Sequence, residues 1–66
     1  MVDSLTLYKA QGHNVKLVEE DDTEHTGIAD FYESEYDSGY GVAIIGLKNE
    51  GVYYKADDLK NIEILD

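Results

Sequence analysis

The chain has 66 residues, fifteen of them acidic and five of them lysine, and its formal net charge is -10. Its length predicts a single small domain over residues 1–66, and the lack of cysteine excludes disulfides and thiolate metal sites. Because this charge repels phosphates and anionic lipid, it disfavours direct binding to nucleic acid or membranes and favours cations, basic proteins or basic peptides as partners.

The first segment is compatible with two structures. Ser4 is a residue type that caps helices, and Gly12 suits the position just past a helix C-terminus. Leu5 and Leu7, however, alternate with polar residues as they do in a strand. We favour one or two helical turns between Ser4 and Gly12.

The pattern becomes that of β-strands after Gly12. Residues 13–19 alternate between apolar and polar side chains, which predicts a half-buried strand, and the polar residues 20–23 predict a turn. Residues 26–32 form a second predicted strand, in which Gly27 suggests a bulge or a sharp bend. Residues 33–41 are rich in acidic residues, serine, glycine and tyrosine, and predict a loop.

Three more strands follow this loop. Residues 42–47 are apolar throughout, which predicts a central strand covered on both faces. A hairpin-type turn at residues 49–51 leads to a strand over residues 52–55. One tight turn at residues 57–60, with 3₁₀ geometry as one option, leads to a final strand over residues 61–65 in which Ile62 and Ile64 face inward.

Five short strands with no long helix predict an all-β fold, a small five-stranded antiparallel barrel or sandwich. Closing the sheet on itself removes exposed strand edges. The predicted core has fourteen members: Leu5, Tyr8, Val15, Leu17, Ala29, Phe31, Val42, Ile44, Ile45, Leu47, Tyr54, Leu59, Ile62 and Ile64.

The order of the elements resembles the Sm-like and SH3-like small β-barrels of bacterial or phage type. An N-terminal helical turn precedes five strands, and Val15, Lys16 and Leu17 with Gly27 are similar to the Sm pattern. The RNA-reading residues of Sm proteins do not carry over. The corresponding loop at residues 32–36 lacks the aspartate and asparagine pair, and the loop at residues 48–51 lacks the arginine and glycine pair. The resemblance therefore implies a small barrel fold without the RNA site of Sm proteins. The acidic loop beside tyrosines is similar to the general chemistry of the SH3 peptide groove.

The sequence contains no recognisable catalytic or metal-binding pattern. His13 and His25 are the two histidines, and neither belongs to a catalytic spacing, so both are expected to be ordinary surface residues. Glu33, Glu35 and Asp37 match the start of a calcium-binding EF-hand loop, but Ser38 stands where glycine is needed. We predict a non-enzymatic protein without a cofactor.

The acidic residues are concentrated in one part of the chain. Between Lys16 and Lys48 there is no basic lysine or arginine, and this interval holds nine carboxylates. Tyrosines lie among the last of them, and tyrosine is enriched at interface hot spots. The predicted binding residues are Tyr32, Glu33, Glu35, Tyr36, Asp37 and Tyr40.

Two functions suit this pattern. The first is a protein-interaction module for a basic partner or peptide, and the second is an acidic nucleic-acid mimic that inhibits a DNA- or RNA-binding protein. A continuous acidic stripe would favour mimicry, whereas separate acidic groups around a tyrosine patch would favour the module. A self-associating ring is a third option, and a solubilising acidic coat with tyrosines as loop anchors explains the same residues.

The first eight residues show no export signal, so we expect a cytoplasmic protein.

Overall fold

A computed structural model describes all of residues 1–66 as one antiparallel sheet with a short helix. The elements are α1 (Ser4–Ala10), β1 (Asn14–Glu19), β2 (Glu24–Glu33), β3 (Ile44–Leu47), β4 (Tyr53–Lys55), a 3₁₀ turn (Ala56–Asp58) and β5 (Leu59–Ile64). The strands lie in the order β4-β3-β2-β1-β5. The predicted set of five short antiparallel strands after an N-terminal helical segment is confirmed, and no strand end is displaced by more than two residues.

Helix α1 confirms the helical interpretation of the first segment, but its cap differs from the predicted one. Asp3, not Ser4, caps the helix: its Oδ1 accepts hydrogen bonds from Thr6 N at 2.8 Å and Thr6 Oγ1 at 2.7 Å. Gly12 follows the C-terminal cap with a φ of 89°, a left-handed conformation that favours glycine. Aspartate accepts at least as well as serine at this position, which explains the shift by one residue.

Helix α1 buries a different face from the predicted one. Leu7 and Ala10 are fully buried against the sheet, whereas Leu5 and Tyr8, which we assigned to the core, are more than half exposed. Both pairs are three residues apart, so each pair lies on one side of the helix. Sequence spacing cannot distinguish these two sides, and the docking of the helix decides which one is buried.

Strand β2 changes its pairing partner partway along its length. Its first half pairs with β1 in regular register, with Val15 opposite Gly27, and its second half pairs with β3. The irregularity lies between Ala29 and Phe31, so the predicted bulge at Gly27 is wrong. Gly27 keeps ordinary strand geometry, and a Cβ placed there would meet the Leu47 side chain at 3.5 Å, an ordinary contact.

Strand β3 is covered on both faces, as predicted for the centre of the chain's most apolar run. All four of its residues are buried. Ile45 and Leu47 belong to the main core, whereas Ile44 and Gly46 alternate with them and so face the other side of the sheet. The strand begins at Ile44, and Val42 before it is only partly buried.

The core also contains small residues that hydrophobic patterning did not select. Leu7 and four smaller residues complete it: Val2, Ala10, Ala43 and Ala56. Of the predicted members, Leu5, Tyr8 and Ile64 are exposed, and Phe31, Val42, Tyr54 and Ile62 are only partly buried. Ile64 pairs with the buried Val15 and so faces the core side as predicted, but it lies at the end of an edge strand and is 46% exposed.

The two edge strands of the sheet are consecutive in the chain. Only the 3₁₀ turn at Ala56–Asp58 separates β4 from β5, so the adjoining ends of the two edges lie close together. No strand pairing joins β4 to β5, and the sheet is not closed. Backbone hydrogen bonds from Ala56 N to Ala43 O, at 2.9 Å, and from Glu20 N to Asp58 O, at 3.1 Å, fix the connection on both sides.

Candidate functional site

The structure does not gather the six predicted binding residues at one place. Tyr32 faces the core side of the sheet because it pairs with Ile45. Its hydroxyl shares a 2.9 Å hydrogen bond with Ser4 Oγ, and its ring meets Tyr8 edge-on at 5.7 Å. Tyr32 therefore holds α1 on β2. Its neighbour Glu33 points to the opposite face, since side chains alternate along a strand.

The other four predicted residues lie in an ordered loop at residues 34–43. Ser34 O accepts hydrogen bonds from the backbone N–H of Asp37 and of Ser38, which makes a tight turn, and Tyr36 at its tip is 88% exposed. Ser38 Oγ donates to Val42 O at 2.7 Å and accepts from Tyr40 N at 3.1 Å. This network fixes the path of the loop and leaves Tyr36 and Tyr40 on the surface.

A stacked aromatic pair lies on the face of the sheet opposite the main core. Phe31 and Tyr53 flank Gly46 in neighbouring strands, and their rings stack at 4.7 Å with 23° between their planes. A Cβ at Gly46 would lie 3.0 Å from the Tyr53 ring and 3.3 Å from Phe31 Cβ. Because glycine has no side chain, Phe31 and Tyr53 can pack closely over Gly46.

A second row of cross-strand neighbours lies beside this aromatic pair, and its lysine contacts a tyrosine of the loop. Glu33, Ile44 and Lys55 lie side by side on the same face. The Lys55 ammonium lies 5.5 Å from the centre of the Tyr40 ring, a cation–π distance. We call the surface formed by Phe31, Tyr40, Gly46 and Tyr53 the aromatic face.

Sequence analysis placed only Tyr40 of this surface among the binding residues. Phe31 was assigned to the core, and Tyr53 was not selected. One signal was available: a glycine inside an otherwise apolar central strand often marks a close approach by another group. Gly46 is such a glycine, and the groups that approach it are the Tyr53 ring and Phe31 Cβ.

Acidic residues from two separate segments meet at one end of the molecule. The bond from Glu20 N to Asp58 O places the β1–β2 turn against the 3₁₀ turn. The resulting acidic end comprises Glu20, Asp21, Asp22, Asp57 and Asp58, all exposed. Two of these residues are paired within the chain, Glu20 with the Met1 ammonium at 3.0 Å and Asp22 with Lys60. The Asp22 carboxylate raises the pKa of Lys60, first by a hydrogen bond and then by its charge.

His25 takes part in a polar network and is not the ordinary surface residue that we predicted. Its Nε2 is hydrogen-bonded to Glu19, and its ring lies 4.8 Å from the Tyr54 ring. The Tyr54 hydroxyl donates to Glu50 at 2.7 Å. Burial, followed by this hydrogen bond and the Glu50 charge, raises the pKa of Tyr54 to about 12. His13 lies on the surface beside Asp66, as expected.

Neither a membrane-spanning helix nor a cluster of metal-ligating side chains is present. No helix is long and apolar enough to cross a bilayer. No group of three histidine or acidic side chains is placed to hold a metal ion. Comparison with known proteins finds no matching family model, no matching curated protein and no matching solved structure.

Proposed function

We propose that this chain is a non-enzymatic protein-interaction module that binds a basic protein or peptide through the aromatic face and the loop at residues 34–43. The contact between Lys55 and Tyr40 carries the proposal. An exposed ring of this face already has an ammonium group at 5.5 Å, the geometry that a lysine or arginine of a partner would adopt. Tyr53 offers a second exposed ring beside it.

Charge and exposed aromatic area coincide at this surface. Glu33 lies in the row next to the aromatic pair, and Glu35 and Asp37 lie in the loop that carries Tyr40. Carboxylates around the rim of an interface accelerate the encounter with a cationic partner, while buried rings supply most of the affinity. The proposed function requires no cofactor, and its partner is neither nucleic acid nor a membrane.

A nucleic-acid mimic is the second candidate, and the acidic end is the observation that favours it. Closely spaced carboxylates can replace phosphates in the basic groove of a DNA- or RNA-binding protein. Two features weigh against this function. Met1 and Lys60 already pair with two residues of the acidic end, and the aromatic face has no role in mimicry.

We also propose that the sheet closes in solution as a small SH3-like or Sm-like barrel. Support comes from the short connection between the two edge strands and from the backbone bonds that flank it. The test is an experimental structure or a set of interstrand amide contacts between β4 and β5. Contacts between Tyr54 and residues of β5 support closure, and their absence leaves an open sheet.

Fluorescence anisotropy with defined peptides tests the proposed function. The probe is a labelled peptide rich in lysine and arginine, and its control carries glutamine at every cationic position. We expect saturable binding of the basic peptide, little binding of the control, and no micromolar binding of a labelled oligonucleotide at physiological salt. If the basic peptide does not bind, or the oligonucleotide does, the proposal is wrong.

The same assay separates the module from the mimic. Asp21→Asn combined with Asp57→Asn and Asp58→Asn neutralises the acidic end without touching the aromatic face. For an interaction module, these changes weaken binding only slightly. For a mimic, they remove most of the affinity for a DNA-binding protein, and the loss becomes smaller as salt rises.

A further inference from the structure

A small cavity lies where the N-terminal segment meets the loop at residues 34–43. Its volume is about 260 Å³. The lining residues come from three parts of the chain, and they are Met1, Val2, Asp3, Ser4, Glu35, Gly41, Val42, Ala43 and Ala56. This volume is below the roughly 300–1,000 Å³ typical of small-molecule sites, so the cavity suits one side chain better than a metabolite or a cofactor.

Backbone hydrogen bonds tie the three walls of this cavity together. Val2 N donates to Ala56 O at 3.1 Å, and Ala56 N donates to Ala43 O at 2.9 Å. All three residues are buried. The bond from Ser38 Oγ to Val42 O holds the loop side of the cavity. The cavity is therefore built from fixed backbone, which lowers the entropic cost of filling it.

The lining combines apolar walls with two acidic residues. Val2, Val42 and the two alanines supply the apolar surface, and Asp3 and Glu35 supply the charge. Glu35 has no ion-pair partner in the chain. Hydrogen bonds from Thr6 lower the pKa of Asp3, so this carboxylate stays ionised. No lysine of the chain lines the cavity.

We infer that this cavity receives one long cationic side chain, a lysine or an arginine, of the basic partner. Such a side chain has an apolar stem for the walls and a charged head for Glu35 and Asp3. The Met1 ammonium at the cavity does not oppose this occupant, because Glu20 already neutralises it at 3.0 Å. The inference rests on the proposed function and adds an anchoring site to it.

Amide chemical-shift titration of the ¹⁵N-labelled protein tests the cavity by itself. The probes are N-acetyl-lysine methylamide and N-acetyl-arginine methylamide, and the control is N-acetyl-norleucine methylamide, which has the apolar stem without the charge. We expect saturable shifts at Val2, Ala43 and Ala56 with the cationic probes. Glu35→Gln should weaken their binding by about two- to fivefold, the range for one exposed ion pair. Asp37→Asn, which removes a charge from the same loop outside the cavity, should change it less.

The possible results separate the inference from the proposed function. Shifts that fail to saturate, equal binding of the norleucine compound, or equal effects of Glu35→Gln and Asp37→Asn overturn the cavity site. A basic peptide that binds without shifting the cavity amides also overturns the inference, while the proposed function stands. A lysine probe that fills the cavity beside a basic peptide that does not bind contradicts the proposed function and leaves a site for a free cationic ligand.

Discussion

The Phe31 and Tyr53 rings stack 4.7 Å apart across Gly46, on the face of the sheet opposite the main core. This stack depends on the missing side chain between them, because a Cβ at Gly46 would lie 3.0 Å from the Tyr53 ring. Its two rings belong to the surface that we propose for partner binding.

Gly46→Ala is expected to destabilise the protein by about 1–3 kcal/mol, the usual cost of adding a group to a packed site. The added methyl would press on the Tyr53 ring and on Phe31 Cβ, and the Phe31 Cβ cannot move without the backbone. Gly27→Ala is the matched control, since its nearest contact, Leu47 Cβ, is at 3.5 Å. Urea denaturation measures the free energy of unfolding of both variants. Equal values would show that the stacked rings move aside for the added methyl without a cost in stability.

Ile44→Ala is expected to cost about 2–5 kcal/mol, because it removes most of a buried side chain and leaves a cavity. Ile44 is 2% exposed, although it lies on the opposite side of β3 from the main core. In a domain of this size such a loss is enough to unfold a large fraction of the molecules. Circular dichroism during urea titration tests this expectation, and a loss below about 1 kcal/mol would mean that Ile44 is not packed as described.

Tyr54 should make stability depend on pH in the alkaline range. Its pKa in the folded protein is about 12, above the usual 10.0, so the unfolded chain releases this proton first as pH rises. The stabilisation is complete below the lower value and is lost as pH rises through the higher one. Because Lys60 titrates in the same direction, the measurement is the difference between wild type and Tyr54→Phe. This difference should shrink as the solution becomes alkaline, and a constant difference would contradict the assigned burial and Glu50 bond.

Tyr36 and the carboxylates of the loop should affect partner binding in different ways. Tyr36→Ala is expected to weaken binding by more than about 1 kcal/mol, as a hot spot does. Replacing Glu33, Glu35 and Asp37 by their amides should mainly slow association. Stopped-flow binding of the basic peptide separates the two effects. If neither set of changes alters binding, the working surface lies elsewhere.

The sequence predicted the strands and turns well, because side-chain alternation and turn residues are local signals. Leu5 with Tyr8 and Leu7 with Ala10 have the same spacing, so the buried side of α1 depends on tertiary docking. The site was predicted only in part for a similar reason. Tyr32 and Glu33 are neighbours in sequence but lie on opposite faces of β2. This strand continues five residues past Ile28, the last residue that pairs with β1.

The aromatic face was the hardest feature to predict. It brings together β2, β3, β4 and a loop, and it depends on the register shift between Ala29 and Phe31. A one-residue change in that register would turn Phe31 away from Gly46. The resemblance to Sm-like and SH3-like barrels stays a prediction, since the sheet is not closed and comparison with known proteins finds no match.

The most direct test of the account compares two tyrosines that are equally exposed. Tyr53 and Tyr8 are each 58% exposed, but Tyr53 belongs to the aromatic face and Tyr8 lies on the helix. The measurement is the Kd of the lysine- and arginine-rich peptide for Tyr53→Ala and Tyr8→Ala, with folding of each variant checked by circular dichroism. We predict that Tyr53→Ala weakens binding at least about fivefold, a loss of about 1 kcal/mol that only a minority of interface residues reach, and that Tyr8→Ala leaves it unchanged. Equal Kd values for both folded variants would contradict the assignment of the aromatic face as the binding surface.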